Sequence, residues 1–93
     1  MAIDSNTATS VAIGAASVLS VALPSGQYQI SASGTGGCWV ASGANPTAAA
    51  HVNGSTFVPV NYPVLINLAV ANWKFAVIQD GSATGWASIT INT

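Results

Sequence analysis

From Trp73 to Gln79 the chain reads Trp-Lys-Phe-Ala-Val-Ile-Gln, apolar at nearly every position. A strand with that pattern is one covered on both faces. Further on the pattern changes to alternation: Ala87, Ile89 and Ile91 share one parity, and Trp86, Ser88, Thr90 and Asn92 share the other. Successive side chains of a strand point to opposite faces, so this second strand is half-buried. Asp80-Gly81 opens the connection between the two and Gly85 closes it. Asp bonds its own backbone just downstream and Gly accepts positive φ, so these residues predict a turn closing a hairpin. A strand covered on both faces sits between two layers, and the rest of the chain has to supply a second sheet.

The upstream segments are short and similarly punctuated. Val11 and Ile13, then Leu19, Val21 and Leu23, each keep one parity, which predicts two short strands with a kink near 14–17. A helix is the competitor, weakened by the β-branched residues and serines. Leu23-Pro24-Ser25-Gly26 is a turn in which Pro presets φ. Then comes the cleanest alternation in the chain, with Tyr28, Ile30 and Ala32 against Gln27, Gln29, Ser31 and Ser33. Gly34-Thr35-Gly36-Gly37 ends it, and Cys38 to Ala41 begins another strand, closed by Ser42-Gly43.

Asn45 to Thr56 is the longest stretch without strand character. Within it, Ala48 to Ala50 has the composition for one turn of helix, and Asn53-Gly54 marks a reversal. Phe57 to Val60, interrupted by Pro59, reads as an edge strand or strand end. After Asn61-Tyr62-Pro63, the residues Val64, Ile66, Leu68 and Val70 predict a mostly buried strand. Met1 to Ser10 is polar and aperiodic, an arm that either reaches a neighbour or frays. About eight short strands, spaced roughly every ten residues, predict an all-β fold. The expected architecture is a single small antiparallel β-sandwich, jelly-roll-like, over 11–93, with an extended N-terminal arm over 1–10.

Charge bears on function. Charged residues are 3% of the chain, against roughly 25% in an ordinary soluble domain. Only Asp4, Lys74 and Asp80 carry charge, and the net charge is −1. That excludes electrostatic steering toward nucleic acid or anionic lipid. A small free domain is kept dispersed by a net charge of about 2–8 in magnitude. A neutral Ser/Thr/Asn/Ala surface without that protection points to burial against other protein subunits; the alternative is a secreted adhesin or stalk with an uncharged polar coat. No stretch approaches the roughly 18–20 uninterrupted apolar residues of a membrane span. The best candidate, Val11 to Leu23, is broken by Gly14, Ser17 and Ser20. It is also preceded by Asp4 rather than by Lys or Arg, unlike a signal peptide, so synthesis in the cytoplasm is expected.

The inventory for chemistry is thin. Catalysis by proton transfer needs groups of separable proton affinity, and the chain has Asp4, Asp80 and one histidine, His51. A nucleophile would require His51 with Asp80 and a serine, or Cys38 with His51, and no spacing selects either. Asp80 reads as a turn former, Cys38 as a small buried apolar side chain, and His51 as a loop residue. The single cysteine makes no intramolecular disulfide, and no metal-ligand spacing is present. The chain is therefore expected to be non-enzymatic and without a cofactor. Aromatic residues remain. Trp39 and Trp73 are expected in the core, whereas Trp86 lies on the polar parity of its strand, available to a subunit or a sugar ring. The contact candidates are Ile3 and Asp4 in the arm, Asn45 and His51 in the long loop, and Tyr62, Lys74 and Trp86.

One further pattern spans most of the chain from about Val11. It comprises Val21-Ala22-Leu23-Pro24-Ser25-Gly26-Gln27-Tyr28 with Ile30 and Gly34, the segment Gly43 to Ala48, and Ala76-Val77-Ile78-Gln79-Asp80-Gly81 followed by Ile89-Thr90-Ile91. Together these resemble small virion proteins of tailed bacteriophages. The matching residues are turn and core positions and carry no chemistry. The resemblance implies a β-sandwich that decorates or cements the outer surface of the phage head. Its implied partners are itself, commonly as a homotrimer, and the major capsid protein at capsomer junctions. Some members of the group instead resemble fibre or tail parts, and a carbohydrate-binding fibre or tail-tip module is the alternative.

Overall fold

The computed structural model describes residues 3–92 of the chain. Eight strands follow one another: β1 (Ile3–Ile13), β2 (Val18–Leu19), β3 (Gly26–Gly34), β4 (Cys38–Gly43), β5 (Thr56–Val58), β6 (Val64–Leu68), β7 (Lys74–Gln79) and β8 (Gly85–Asn92). They form two four-stranded sheets, ordered β1-β8-β3-β6 and β2-β7-β4-β5, and every strand pairing is antiparallel. The protein is all-β, and no helix occurs among the described residues.

The two sheets share one apolar core, and strand alternation decides what enters it. Along β3, Tyr28, Ile30 and Ala32 are buried, while Gln27 and Ser33 are exposed and Gln29 and Ser31 lie between. Ala87 and Ile89 of β8 and Val11 and Ile13 of β1 line up beside them. From the other sheet come Cys38 and Val40, Val58, and Phe75 and Val77. Tyr28 meets Phe75 edge-on, 5.5 Å between ring centroids. Its hydroxyl donates to the Pro24 carbonyl, which satisfies the polar end of a buried ring and pins the preceding turn to β3. Ser20 is buried and continues the β2–β7 pairing: its N–H donates to the Phe75 carbonyl (2.7 Å), and its Oγ accepts from the Phe75 N–H (3.0 Å).

Strand β7 is covered on both faces, as its apolar run requires, but by unlike covers. Phe75 and Val77 face the other sheet, whereas Ala76 packs with Ala41, Ile78 and Ala48 of the 44–55 loop. The loop replaces a further layer. It contains no turn of helix over Ala48 to Ala50; its reversal lies at 50–54, where Gly54 has φ 91° and the Ser55 N–H donates to the Val52 carbonyl.

Three expectations from the sequence need correction. Asp80 to Ala83 is a turn, closed by the Ala83 N–H on the Asp80 carbonyl (3.1 Å), but β7 and β8 do not form a hairpin. The flanks of β7 are taken by β2 and β4, and those of β8 by β1 and β3, so the turn passes the chain from one sheet to the other. Residues 3–10, expected in an arm, belong to β1, which pairs with β8 from Ile3↔Asn92 to Ile13↔Gly85. The irregularity that masks the strand in the sequence is a register shift between Asp4 and Thr9, which breaks the alternation. Strand β6 is only partly buried, with Leu65 and Asn67 exposed and Val64 and Ile66 half-buried, because it is an edge strand with a neighbour on one side only.

Where β3 ends and β8 begins, Gly34 faces Gly85, with φ 109° and 143°. A Cβ on Gly34 would lie 1.9 Å from the Thr84 carbonyl oxygen, and one on Gly85 1.9 Å from that of Ser33. Gly34→Ala and Gly85→Ala should each cost at least about 2 kcal/mol in urea unfolding. Gly14→Ala, where an added Cβ meets nothing within 4 Å, should stay within about 0.5 kcal/mol of the parent.

Candidate functional site

Among the described residues, the outer face of the first sheet carries uncharged side chains in register. Ser10, Ser88 and Ser31 form one row across β1, β8 and β3, and Ala12, Trp86 and Ser33 the next. Thr90, Gln29 and Leu65 form a third across β8, β3 and β6, with Gln27 beside Asn67. The pleat sends the chain neighbours of the core residues Ala87, Ile89, Tyr28 and Ile30 to this side. Trp86 is 57% exposed here, as its parity predicts. Beside it, the Ser33 Oγ donates to the Trp86 carbonyl (3.3 Å).

The outer face of the second sheet carries a different arrangement. Cys38 and Val40 face the core, so Trp39 between them faces outward, half-buried. This departs from the expected core position of Trp39; Trp73 is half-buried too, but packs against the core. Trp39 lies against Phe57 of β5 (centroids 5.2 Å) and His51 of the loop (4.7 Å, 61° between planes). Its Nε1–H donates to Asp80 Oδ1 (3.0 Å), and His51 Nε2 lies 4.0 Å from the same oxygen. His51 has φ 60°, a left-handed turn conformation, and its ring meets the indole edge-on. The loop is held down by the Ala48 N–H on Ser17 Oγ (3.0 Å) and the Ala49 N–H on Ser55 Oγ (3.2 Å).

This convergence of Trp39, Phe57, His51 and Asp80 was not anticipated from the sequence. Alternation along Cys38-Trp39-Val40 was the available signal for Trp39. Nothing local ties residue 39 to residue 80. Asp80 serves as a turn former through its carbonyl, and its carboxylate is used on the indole.

The cluster is poor in chemistry. His51 is 78% exposed at its side chain, and an exposed contact of this kind contributes about 0–1 kcal/mol. Cys38 is fully buried on the opposite face of β4 from Trp39, away from the imidazole. Burial pushes its thiol up to about 11 from 9.0. Burial likewise raises the Tyr28 phenol. No trio of His, Cys, Asp or Glu side chains suited to a metal, and no pocket, forms among the described residues.

The contact candidates from the sequence do not converge. Ile3 and Asp4 stand opposite Asn92 and Ile91 at the start of β1, and their side chains lie outside the described part of the structure. Asn45 and His51 are exposed on the loop over the second sheet, and Lys74 is half-buried on β7 opposite Gly43. Tyr62, 72% exposed, lies on the β5–β6 connection, and Trp86 lies on the first sheet.

The raised Cys38 value has a defined consequence. Folding favours the neutral thiol, so its contribution to stability is full below the ordinary value and is lost as pH rises through about 11. A thiol-reactive disulfide at pH 8 should modify the native protein at the rate of global unfolding and the urea-unfolded chain at once. Comparison of the chain with protein-family models, with curated proteins and with solved structures finds no match.

Proposed function

We propose that this chain is a non-enzymatic structural subunit of a bacteriophage particle, one that decorates the head and clamps the major capsid protein at capsomer junctions. One observation carries the reading: the outer face of the first sheet is registered and, among the described side chains, free of charge, with Trp86 at 57% exposure in it. Burying such a surface takes no ion out of water, and hydrogen bonds to the partner would offset the burial of its hydroxyl and amide groups. Trp is the side chain most often found to anchor an interface. A neutral exterior also opposes self-association weakly, which fits a homotrimer.

The strand order supports a finer reading of the fold. With β1-β8-β3-β6 against β2-β7-β4-β5, only β4 and β5 are consecutive strands within one sheet. We read this as an eight-stranded jelly roll, an architecture used by viral capsid domains and by lectins. The lectin branch keeps a second function in view. Trp86 beside Ser33, with Ser10, Ser88 and Ser31 in the adjoining row, is also the chemistry of a carbohydrate platform, and a fibre or tail-tip module would use it so.

A pull-down on empty heads of the phage that encodes the chain, with sedimentation of the free protein, separates these readings. The decoration reading expects an oligomer that binds heads and a Trp86→Ala variant that binds about tenfold or more weakly. A stable monomer that leaves heads bare would overturn it. Glycan-array binding abolished by Trp86→Ala would move the assignment to the carbohydrate module.

A further inference from the structure

Four strands lie at sheet edges, and three carry a feature that discourages pairing with another chain. Strand β1 is interrupted by the register shift between Asp4 and Thr9, β2 is two residues long, and β5 is three residues long and followed by Pro59. Breaks, brevity and proline are the usual devices that blunt an edge. Pro63 stands just before β6 as Pro59 stands just after β5, but β6 itself is uninterrupted along Val64–Leu68: it is five residues long, pairs with β3 without a register shift, and contains no proline or charge. Its backbone groups on the side away from β3 face no further strand of the sheet. Val64 and Ile66 stop half-buried at the rim of the core, and Leu65 is 52% exposed.

We infer that the free edge of β6 is a seam that takes β6 of a second copy of this chain, antiparallel about a two-fold axis at Ile66. The segment is self-complementary in that register. Val64 meets Leu68 of the second copy, Ile66 meets Ile66, and Leu65 meets Asn67, so core-side apolar residues stand against apolar ones and the outer face stays uncharged. The pairing continues the first sheet from one copy into the next and covers the open rim at Val64 and Ile66. No Lys, Arg, Asp or Glu occurs between Asp4 and Lys74, so no like charge opposes a second copy and nothing selects a charged foreign strand. The inference rests on the assembly reading above; being two-fold, the seam joins copies in pairs and is separate from the three-fold contact of a homotrimer.

Two double variants on the exposed face test it. Leu65→Lys with Asn67→Lys places four cations around the two-fold axis and should weaken self-association at least about tenfold by sedimentation. Leu65→Lys with Asn67→Asp sets opposite charges across the seam and should retain it. Hydrogen exchange of the parent chain is the independent measurement: the outward amides of 64–68 should gain protection as concentration rises. A parent oligomer unchanged by both variants, or amides indifferent to concentration, overturns the seam and leaves the assembly reading standing. A parent chain that stays monomeric at every concentration overturns both.

Discussion

The edge-on contact of Tyr28 with Phe75 joins the middle of one sheet to an inner strand of the other, and most of the molecule depends on that closure. Each ring is fully buried, and burying an aromatic of this size contributes about 3 kcal/mol. Neither sheet has another way to cover its apolar side. With seven connections and only β4–β5 staying within a sheet, a strand on one side is nearly always followed by a strand on the other. The two layers therefore form together. Such non-local pairing delays the reward for ordering the chain, which places folding on the slow side for a domain of this length.

That closure also decides which surfaces remain for function. The inner faces use many of the large aliphatic side chains, although Val18, Leu19, Val21, Val52, Leu65 and Val70 stay exposed, and the pleat leaves the outer face of the first sheet to Ser, Thr, Gln, Asn and a few apolar residues. A charged protein would repel its own copies there, and this one does so weakly. The second sheet differs, since its outer face is partly roofed by the 44–55 loop, anchored at Ala48 and at the edge-on contact of His51 with Trp39. The two faces thus have different work. One carries Trp86 among uncharged described side chains, and the other holds a long loop in place.

Most of the strands were legible because alternation is a local property. Tyr28, Ile30 and Ala32 had to share a face whatever else the chain did, and so did Ala87 and Ile89. Turn chemistry was legible for the same reason, as at Asp80-Gly81, where Gly81 adopts φ 62°. The candidate site was less legible. Trp86 was found from parity alone, but Trp39 was placed in the core because a large apolar ring usually belongs there, and its outward direction lost to that expectation. The start of β1 was missed because its register shift interrupts the period by which a strand is recognised.

By itself, then, the sequence determined the all-β class, the facing of residues along each segment and the electrical neutrality of the exterior, since each follows from a few neighbouring residues or from composition. Only the tertiary structure decided the partners. The Asp80–Ala83 turn has the same local chemistry whether it closes a hairpin or arches between sheets, and the choice falls to the strands already flanking β7 and β8. In the same way Val64 to Leu68 reads as a buried strand, but its place at the end of an order of four leaves one side of it open. Strand pairing joins residues far apart in sequence, and the arrangement that buries the most apolar surface as a whole selects it.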